Sequence, residues 1–236
     1  MTDYQKQTRK ILKECGAFHE GGHFVYSSGL HGDFYINKDA LYAHPLKLDD
    51  VCVMMTDCAI KAFGRVFDAV VAPATSGIAI GQNIAYNLSI EQRSEVLFAF
   101  SDRNPHKGTH RMFRRGFQQV IKRRNVLLVD DVVTTGQTLS GLACAVIQAG
   151  GRVSGAVSLC DRGDIRVLRY AMDGQPPTEL TIATLVELDL KTFKPDNCPL
   201  CRAGRPVDTD LGWGAHEYPF KLSREYVSTP ELVGAV

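Results

Sequence analysis

The chain has 236 residues, 44% hydrophobic and 22% charged, enough for one or two domains with a full core. Its 27 Lys and Arg nearly cancel 26 Asp and Glu, a net charge of +1, which excludes a generally polycationic nucleic-acid binder and an acidic disordered protein. Composition also excludes collagen-like and low-complexity classes, and no apolar run approaches the roughly 18 residues of a membrane span.

The first segment, Asp3 to Cys15, has helical character and stops at Gly16, a suitable C′ residue. This polar, basic stretch has no apolar h-region, so no secretory signal is visible and a cytoplasmic location is expected. Short alternating stretches, His23 to Ser27 and Asp33 to Lys38, flank a Ser28-Gly29 turn and predict a small β-rich flap. Pro45 opens a helix whose apolar positions, Leu48, Val51, Met55, Cys58, Ala59 and Ala62, run to Gly64. A strand–loop–helix pattern follows. Apolar strands are expected at Ala69–Ala72, Val96–Phe100, Val126–Val129, Val153–Cys160 and Thr181–Val186, with helices after Gly77 and from about Thr138 to Ala149. Near-continuous apolar strands alternating with helices imply an α/β fold, a parallel central sheet with helices on both faces. The expected organisation is 1–65 helix and flap, 66–190 core, and 191–236 a C-terminal tail. Ligands of such sheets sit at the carboxyl ends of the strands.

The strongest chemical signal lies at one such end, Val126-Leu-Leu-Val-Asp130-Asp131-Val-Val-Thr134-Thr135-Gly136-Gln137-Thr138. Free N–H groups at a helix N-terminus, with threonine hydroxyls, make a phosphate cradle, and Gly136 permits positive φ and close approach of a phosphate oxygen. Two carboxylates beside a phosphate would repel it unless they bind something else. Vicinal hydroxyls of a ribose are suitable donors, and a divalent cation would cancel the repulsion. The simpler alternative is that Asp130 and Asp131 only cap the following helix. No Gly-Lys-Ser/Thr follows, so this is not a Walker A loop.

This string resembles the signature of the type I phosphoribosyltransferases, which bind 5-phosphoribosyl-1-pyrophosphate (PRPP). The resemblance implies that Asp130 and Asp131 hold the ribose hydroxyls and that Thr134, Thr135, Gly136, Gln137 and Thr138 hold the 5′-phosphate, with Mg²⁺ brought by PRPP and no protein ligand assigned to it. Three further stretches are similar to orotate phosphoribosyltransferases in particular. His23 to Lys38 looks like that family's flap, which implies Tyr35 and Lys38 at the pyrimidine. Ala72-Pro-Ala-Thr75-Ser76-Gly77-Ile78 looks like its pyrophosphate turn. Leu159-Cys160-Asp161-Arg162-Gly163 ends a strand where the family sets an arginine against the orotate carboxylate, and a guanidinium fork suits a carboxylate. Ser27 and Ser76 stand where some orotate enzymes carry lysine. Together the matches run from about residue 10 to 205, and a Cys-Pro-Leu-Cys tail resembles a longer subgroup.

Arg103 to Arg124 carries eight Lys and Arg and no acid. It could be a nucleic-acid arm, a solvated surface, or a loop that folds over a pyrophosphate. Its position, between the Phe98-Ala99-Phe100 strand and the strand bearing Asp130, favours the last. In the family this is the catalytic hood (101–117 here), which often reaches into a neighbouring subunit. That implies a homodimer, with Arg103, Lys107 and His110 on the pyrophosphate and Arg103 and Lys107 sharing catalysis with the two aspartates. Arg111 to Phe117 resembles the hood's return strand, and Arg123 and Arg124 read as surface.

Histidines 19, 23, 31, 44 and 216 read as structural or solvated. Cys198-Pro-Leu-Cys201 has half the spacing of a zinc site, but no second CxxC exists, so buried thiols are expected, with zinc at Cys198 and Cys201 as the alternative. The five scattered cysteines, 15, 52, 58, 144 and 160, read as small core residues. Trp213 reads as a tail anchor, and 221–236 carries little signal. Three functions remain open: transfer of phosphoribose from PRPP to orotate, the same transfer to another base, and a non-catalytic PRPP-binding regulator. The 65 or so residues before the first core strand read as flap and helices rather than a winged helix, which counts against the regulator.

Overall fold

A computed structural model describes residues 2–26, 29–104, 111–163, 165–172, 176–187 and 192–211. Lys107, His110, Trp213 and the stretch 221–236 therefore lie outside the described residues. Helix α1 (Asp3–Glu14) opens with a capping box in which Thr2 and Gln5 satisfy each other's backbone N–H groups, and Gly16 follows it at φ +65°. Strands β1 (Phe18–Val25) and β2 (His31–Ile36) form a two-stranded sheet. Helices α2 (Lys38–Tyr42) and α3 (Pro45–Phe63) lead to β3 (Ala69–Pro73), α4 (Ile78–Gln92), β4 (Leu97–Arg103), the short β5 (Arg111–Met112) and α5 (Phe117–Ile121). The chain continues through β6 (Asn125–Val133), α6 (Gln137–Gln148), β7 (Arg152–Asp161), β8 (Val167–Tyr170), β9 (Thr178–Glu187) and α7 (Pro199–Arg202).

The main sheet has the order β5-β4-β3-β6-β7-β9-β8. Five adjacent strands, β4, β3, β6, β7 and β9, are parallel, and the edge strands β5 and β8 are antiparallel to their neighbours. Buried residues alternate between its faces. Leu128 joins Leu139 and Leu142 of α6 and Ile121 of α5 in one apolar layer. On the other face Gly81 of α4 comes so close to Ala72 and Phe98, and Gly155 of β7 so close to Phe63 of α3, that neither site has room for a side chain. Leu127 and Leu128 are both fully buried, and each burial contributes roughly 2–3 kcal/mol.

The chain divides into two compact units, Met1–His19 with Ile36–Leu190, and Glu20–Tyr35 with Lys191–Val236. The N-terminal region 1–65 is thus not one structural piece. Helices α1 and α3 belong to the larger unit because α1 packs on β9 and α3 on β7 and β9. The flap strands are also shifted from the alternation at His23–Ser27 and Asp33–Lys38. The pairing begins at Phe18, ahead of the Gly21-Gly22 interruption, and β2 ends at Ile36 because Lys38 already opens α2.

Candidate active site

The carboxyl ends of β3, β4, β6 and β7 line one edge of the sheet, with Pro73 beside Ser101 and Val133 beside Asp161 in register. Asp130 and Asp131 lie inside β6 and are both buried. They do not cap α6, whose N-cap is Gly136. Asp130 Oδ1 accepts the Asp131 N–H at 3.0 Å, and Asp131 Oδ1 accepts the Val132 N–H at 2.7 Å. Lys38 Nζ pairs with Asp131 Oδ2 at 2.5 Å. Burial, with the Asp131 charge alongside, pushes the Asp130 carboxyl well above the usual carboxylate range, and the Arg111 guanidinium acts in the opposite direction. Arg111 is itself buried, held by the Ser101 carbonyl at 3.2 Å, and its burial lowers its own pKa.

Beyond the pair, residues 132–138 curl around a cavity of about 90 Å³ that Asp130 also lines. Gly136 takes φ +73°, a conformation that favours glycine, and has no side chain with which to cap α6. The first N–H groups of the helix therefore face this loop, with Thr134, Thr135 and Gln137 exposed around them.

A second turn, Thr75 to Gly77, lies between β3 and α4. Its start is fixed by the Ala74 N–H donating to the Ser101 carbonyl at 2.9 Å, and its middle by the Tyr42 hydroxyl donating to the Ser76 carbonyl at 2.6 Å. A Cβ on Gly77 would come within 2.5 Å of the Pro73 ring, so the turn closes only over glycine. Tyr42 is held above its ordinary pKa by burial and by Asp131 and remains a hydroxyl donor. The loop after β7 completes the edge. The Arg162 N–H donates to the Val133 carbonyl at 2.8 Å, and Asp161 Oδ1 accepts the Gly163 N–H at 2.9 Å. The Asp161 carboxylate thus shapes this turn, with Arg162 half-buried beside it.

The structure therefore brings together Asp130, Asp131, the Thr134–Thr138 loop, Thr75, Ser76, Gly77, Lys38 and Arg162. Arg103 is exposed at the end of β4, opposite Arg111 in register, so the stems of the basic segment pair as a hairpin. Arg115 pairs instead with Asp102 at 3.3 Å, and Arg124 donates to the Gln119 and Val120 carbonyls of α5. Tyr35 belongs to the smaller unit, where its ring lies 5.6 Å from that of Phe24. Sequence reasoning missed Tyr42, which falls in a helix too short to show periodicity, and placed Arg111 in the hood without assigning it to the carboxylates.

A separate cluster lies in the smaller unit, where His23, His31, Cys198 and Cys201 offer ligand atoms all within 4.8 Å of one another. The two histidines are the second pair that local spacing did not reveal.

Residues 37–199 match the sequence profile of the phosphoribosyl transferase domain. The orotate phosphoribosyltransferase of Campylobacter concisus is 31% identical over 202 residues, covering 83% of this chain and 93% of the relative. That of Caldanaerobacter subterraneus is 32% identical over 186 residues, covering 79% and 86%. Among solved structures, orotate phosphoribosyltransferase from Aeropyrum pernix matches the fold with a TM-score of 0.56, at 23% identity over 76% of this chain and 92% of that one.

Proposed function

The chain belongs to the orotate phosphoribosyltransferase family of type I phosphoribosyltransferases, and from that premise we propose that it joins the phosphoribosyl group of PRPP to orotate, giving orotidine 5′-monophosphate and releasing pyrophosphate. The observation that carries this reading is the buried carboxylate pair of β6 running directly into an open helix N-terminus, with Arg162 bonded through its backbone to the same strand.

Asp130 and Asp131 accept the ribose 2′- and 3′-hydroxyls, and the Thr134–Thr138 loop with the α6 N-terminus holds the 5′-phosphate. The Thr75–Gly77 turn, with Arg103, Lys107 and His110 of the hood, takes the pyrophosphate. Arg162 receives the orotate carboxylate as a bidentate partner, and Lys38 moves between Asp131 and the base. As the bond from C1 to pyrophosphate weakens, positive charge develops on the ribose, and the carboxylates beneath it stabilise that charge. The hood keeps out the water that would otherwise hydrolyse PRPP. The donor set near the phosphates, carboxylate and hydroxyl oxygens, suits Mg²⁺, which when bound with PRPP neutralises the leaving group. The working form is a cytoplasmic homodimer, a reading supported by exposed apolar residues on α3 and α4, Leu46, Val53, Tyr86 and Ile90.

Pyrophosphate release measured with PRPP and Mg²⁺ against a panel of bases tests the proposal. Turnover with orotate alone is expected. Turnover with a different base and none with orotate would leave only the generic transferase, and PRPP binding without turnover on any base would leave the regulator.

A further inference from the structure

We propose that His23, His31, Cys198 and Cys201 form a structural zinc site that ties the C-terminal segment to the β1–β2 hairpin within the smaller unit. The site is independent of the transferase reaction and of the residues assigned to it.

Four ligand atoms cluster within 4.8 Å of one another. His23 Nε2 lies 2.9 Å from His31 Nδ1, 3.7 Å from Cys198 Sγ and 3.6 Å from Cys201 Sγ, and Cys201 Sγ lies 3.3 Å from His31 Nδ1. A tetrahedral ion with bonds of about 2.0–2.1 Å to nitrogen and about 2.3 Å to sulfur would separate its ligands by about 3.3 Å for two nitrogens and about 3.6 Å for nitrogen and sulfur. Four of the six edges are thus close to those of such a tetrahedron, contracted on the histidine side, and the other two lie within 4.8 Å. Two imidazoles and two thiols, with no fifth donor among the described residues, are the ligand set of a closed structural zinc rather than of a hard cation.

The second layer agrees. His23 Nδ1 meets the Arg205 carbonyl at 2.8 Å. A carbonyl can only accept, so Nδ1 carries the proton and Nε2 presents its lone pair to the cluster, as metal-bound histidines are commonly held. His23, His31 and Cys198 are buried, and the first two are polar groups that need partners there.

The surrounding chain has a use for a cross-link. A two-stranded hairpin is marginal alone. The tail segment is bonded to this one by a bridge between His31 and Phe193, by the Asp208 N–H donating to the His23 carbonyl at 2.8 Å, and by Arg205 Nη1 donating to the Gly21 carbonyl at 2.8 Å. The four side chains sit in the middle of these contacts. Hairpin pairing at Tyr26 and Leu30 sets residues 23 and 31 diagonally on one face. The Cys198–Cys201 spacing across the first turn of α7 supplies the other two ligands.

The full chain, purified without chelator, is analysed for metal by mass spectrometry, and its zinc is exchanged for cobalt. About one zinc per chain is expected. The cobalt form should show the visible bands of a tetrahedral site and a thiolate charge-transfer band. Removing zinc with a strong chelator should lower Tm, and returning it should restore Tm. Cys201→Ser, at the most exposed ligand, should lose the charge-transfer intensity of one thiolate and bind zinc at least tenfold more weakly, while Cys144→Ser should change neither. Protein that stays metal-free after incubation with zinc, that carries a Cys198–Cys201 disulfide, or whose cobalt spectrum lacks thiolate bands would overturn the proposal. None of these readouts depends on turnover, so a failed orotate assay leaves them untouched.

Discussion

At the residue scale, the carboxylate pair sets function against stability. Asp130 has a folded pKa above its unfolded value of about 3.9. Below that value both states are protonated. As pH rises from there through the folded pKa, the unfolded chain gives up its proton first, so stability present in acid is lost on the alkaline side. Asp130→Asn removes this loss. We expect the variant to match or exceed the parent's Tm at pH 8 while its kcat falls about 10²-fold or more, the scale of losing charge stabilisation made mainly in the transition state. Thermal melts at pH 5 and pH 8 with steady-state kinetics check this, and an equal fall in Tm at both pH values would contradict the titration argument. Arg162 carries a different expectation. Losing a charged partner for the orotate carboxylate costs about 2–5 kcal/mol, so Arg162→Ala should raise KM for orotate about 30-fold or more and leave KM for PRPP nearly unchanged. Equal effects on both substrates would assign Arg162 to the fold of its loop instead.

At the element scale, two strand-end loops are locked together at one glycine. A Cβ on Gly163 would fall 1.8 Å from the Thr134 carbonyl oxygen, and because that atom is backbone, no rotamer relieves the clash. Gly163→Ala must therefore push the loop after β7 away from the phosphate loop after β6. We expect KM for PRPP to rise about tenfold, a cost of about 1.4 kcal/mol in positioning, with Tm reduced. An alanine variant with parental KM for PRPP would show that the phosphate loop does not depend on this contact. Such a contact is invisible in sequence, whereas the elements it joins were legible. Val126 to Val129 announced a buried strand by composition, and Pro45 and Gly64 marked helix boundaries because their φ preferences are local. The edge strand β8 was not legible, since it has four residues and its existence depends on a neighbour to pair with. Strand β5 was legible only through the resemblance of Arg111 to Phe117 to a return strand, and two of those residues pair. The continuation of β6 through Asp130 and Asp131 was hidden for a related reason, since charged residues end an apolar run even where β7 pairs with them.

At the scale of the whole molecule, what sequence could not show was juxtaposition across long separations. The phosphate loop and its carboxylates were readable because they are contiguous. The histidine–cysteine cluster was not, because His31 fell between the two expected flap strands and its partners lie at the far end of the chain. Oligomeric completion of the active site is a further step of the same kind. The hood stems, Arg103 and Arg111, face each other at the carboxyl edge of the sheet, and if their loop serves the partner's site, each site needs two chains. Chains carrying Arg103→Ala and Lys107→Ala have a defective hood and intact carboxylates, and chains carrying Asp131→Asn have the reverse. A heterodimer of the two then contains one site with both parts intact and one with neither. Random assortment makes about half of all dimers mixed, so co-expression of otherwise inactive chains should recover about a quarter of parental activity. Affinity tags of two kinds isolate the mixed dimers and raise the expected value to about half. Purified heterodimers with no activity would place each hood over its own chain's site, and a monomer at working concentration by sedimentation would remove the shared site altogether.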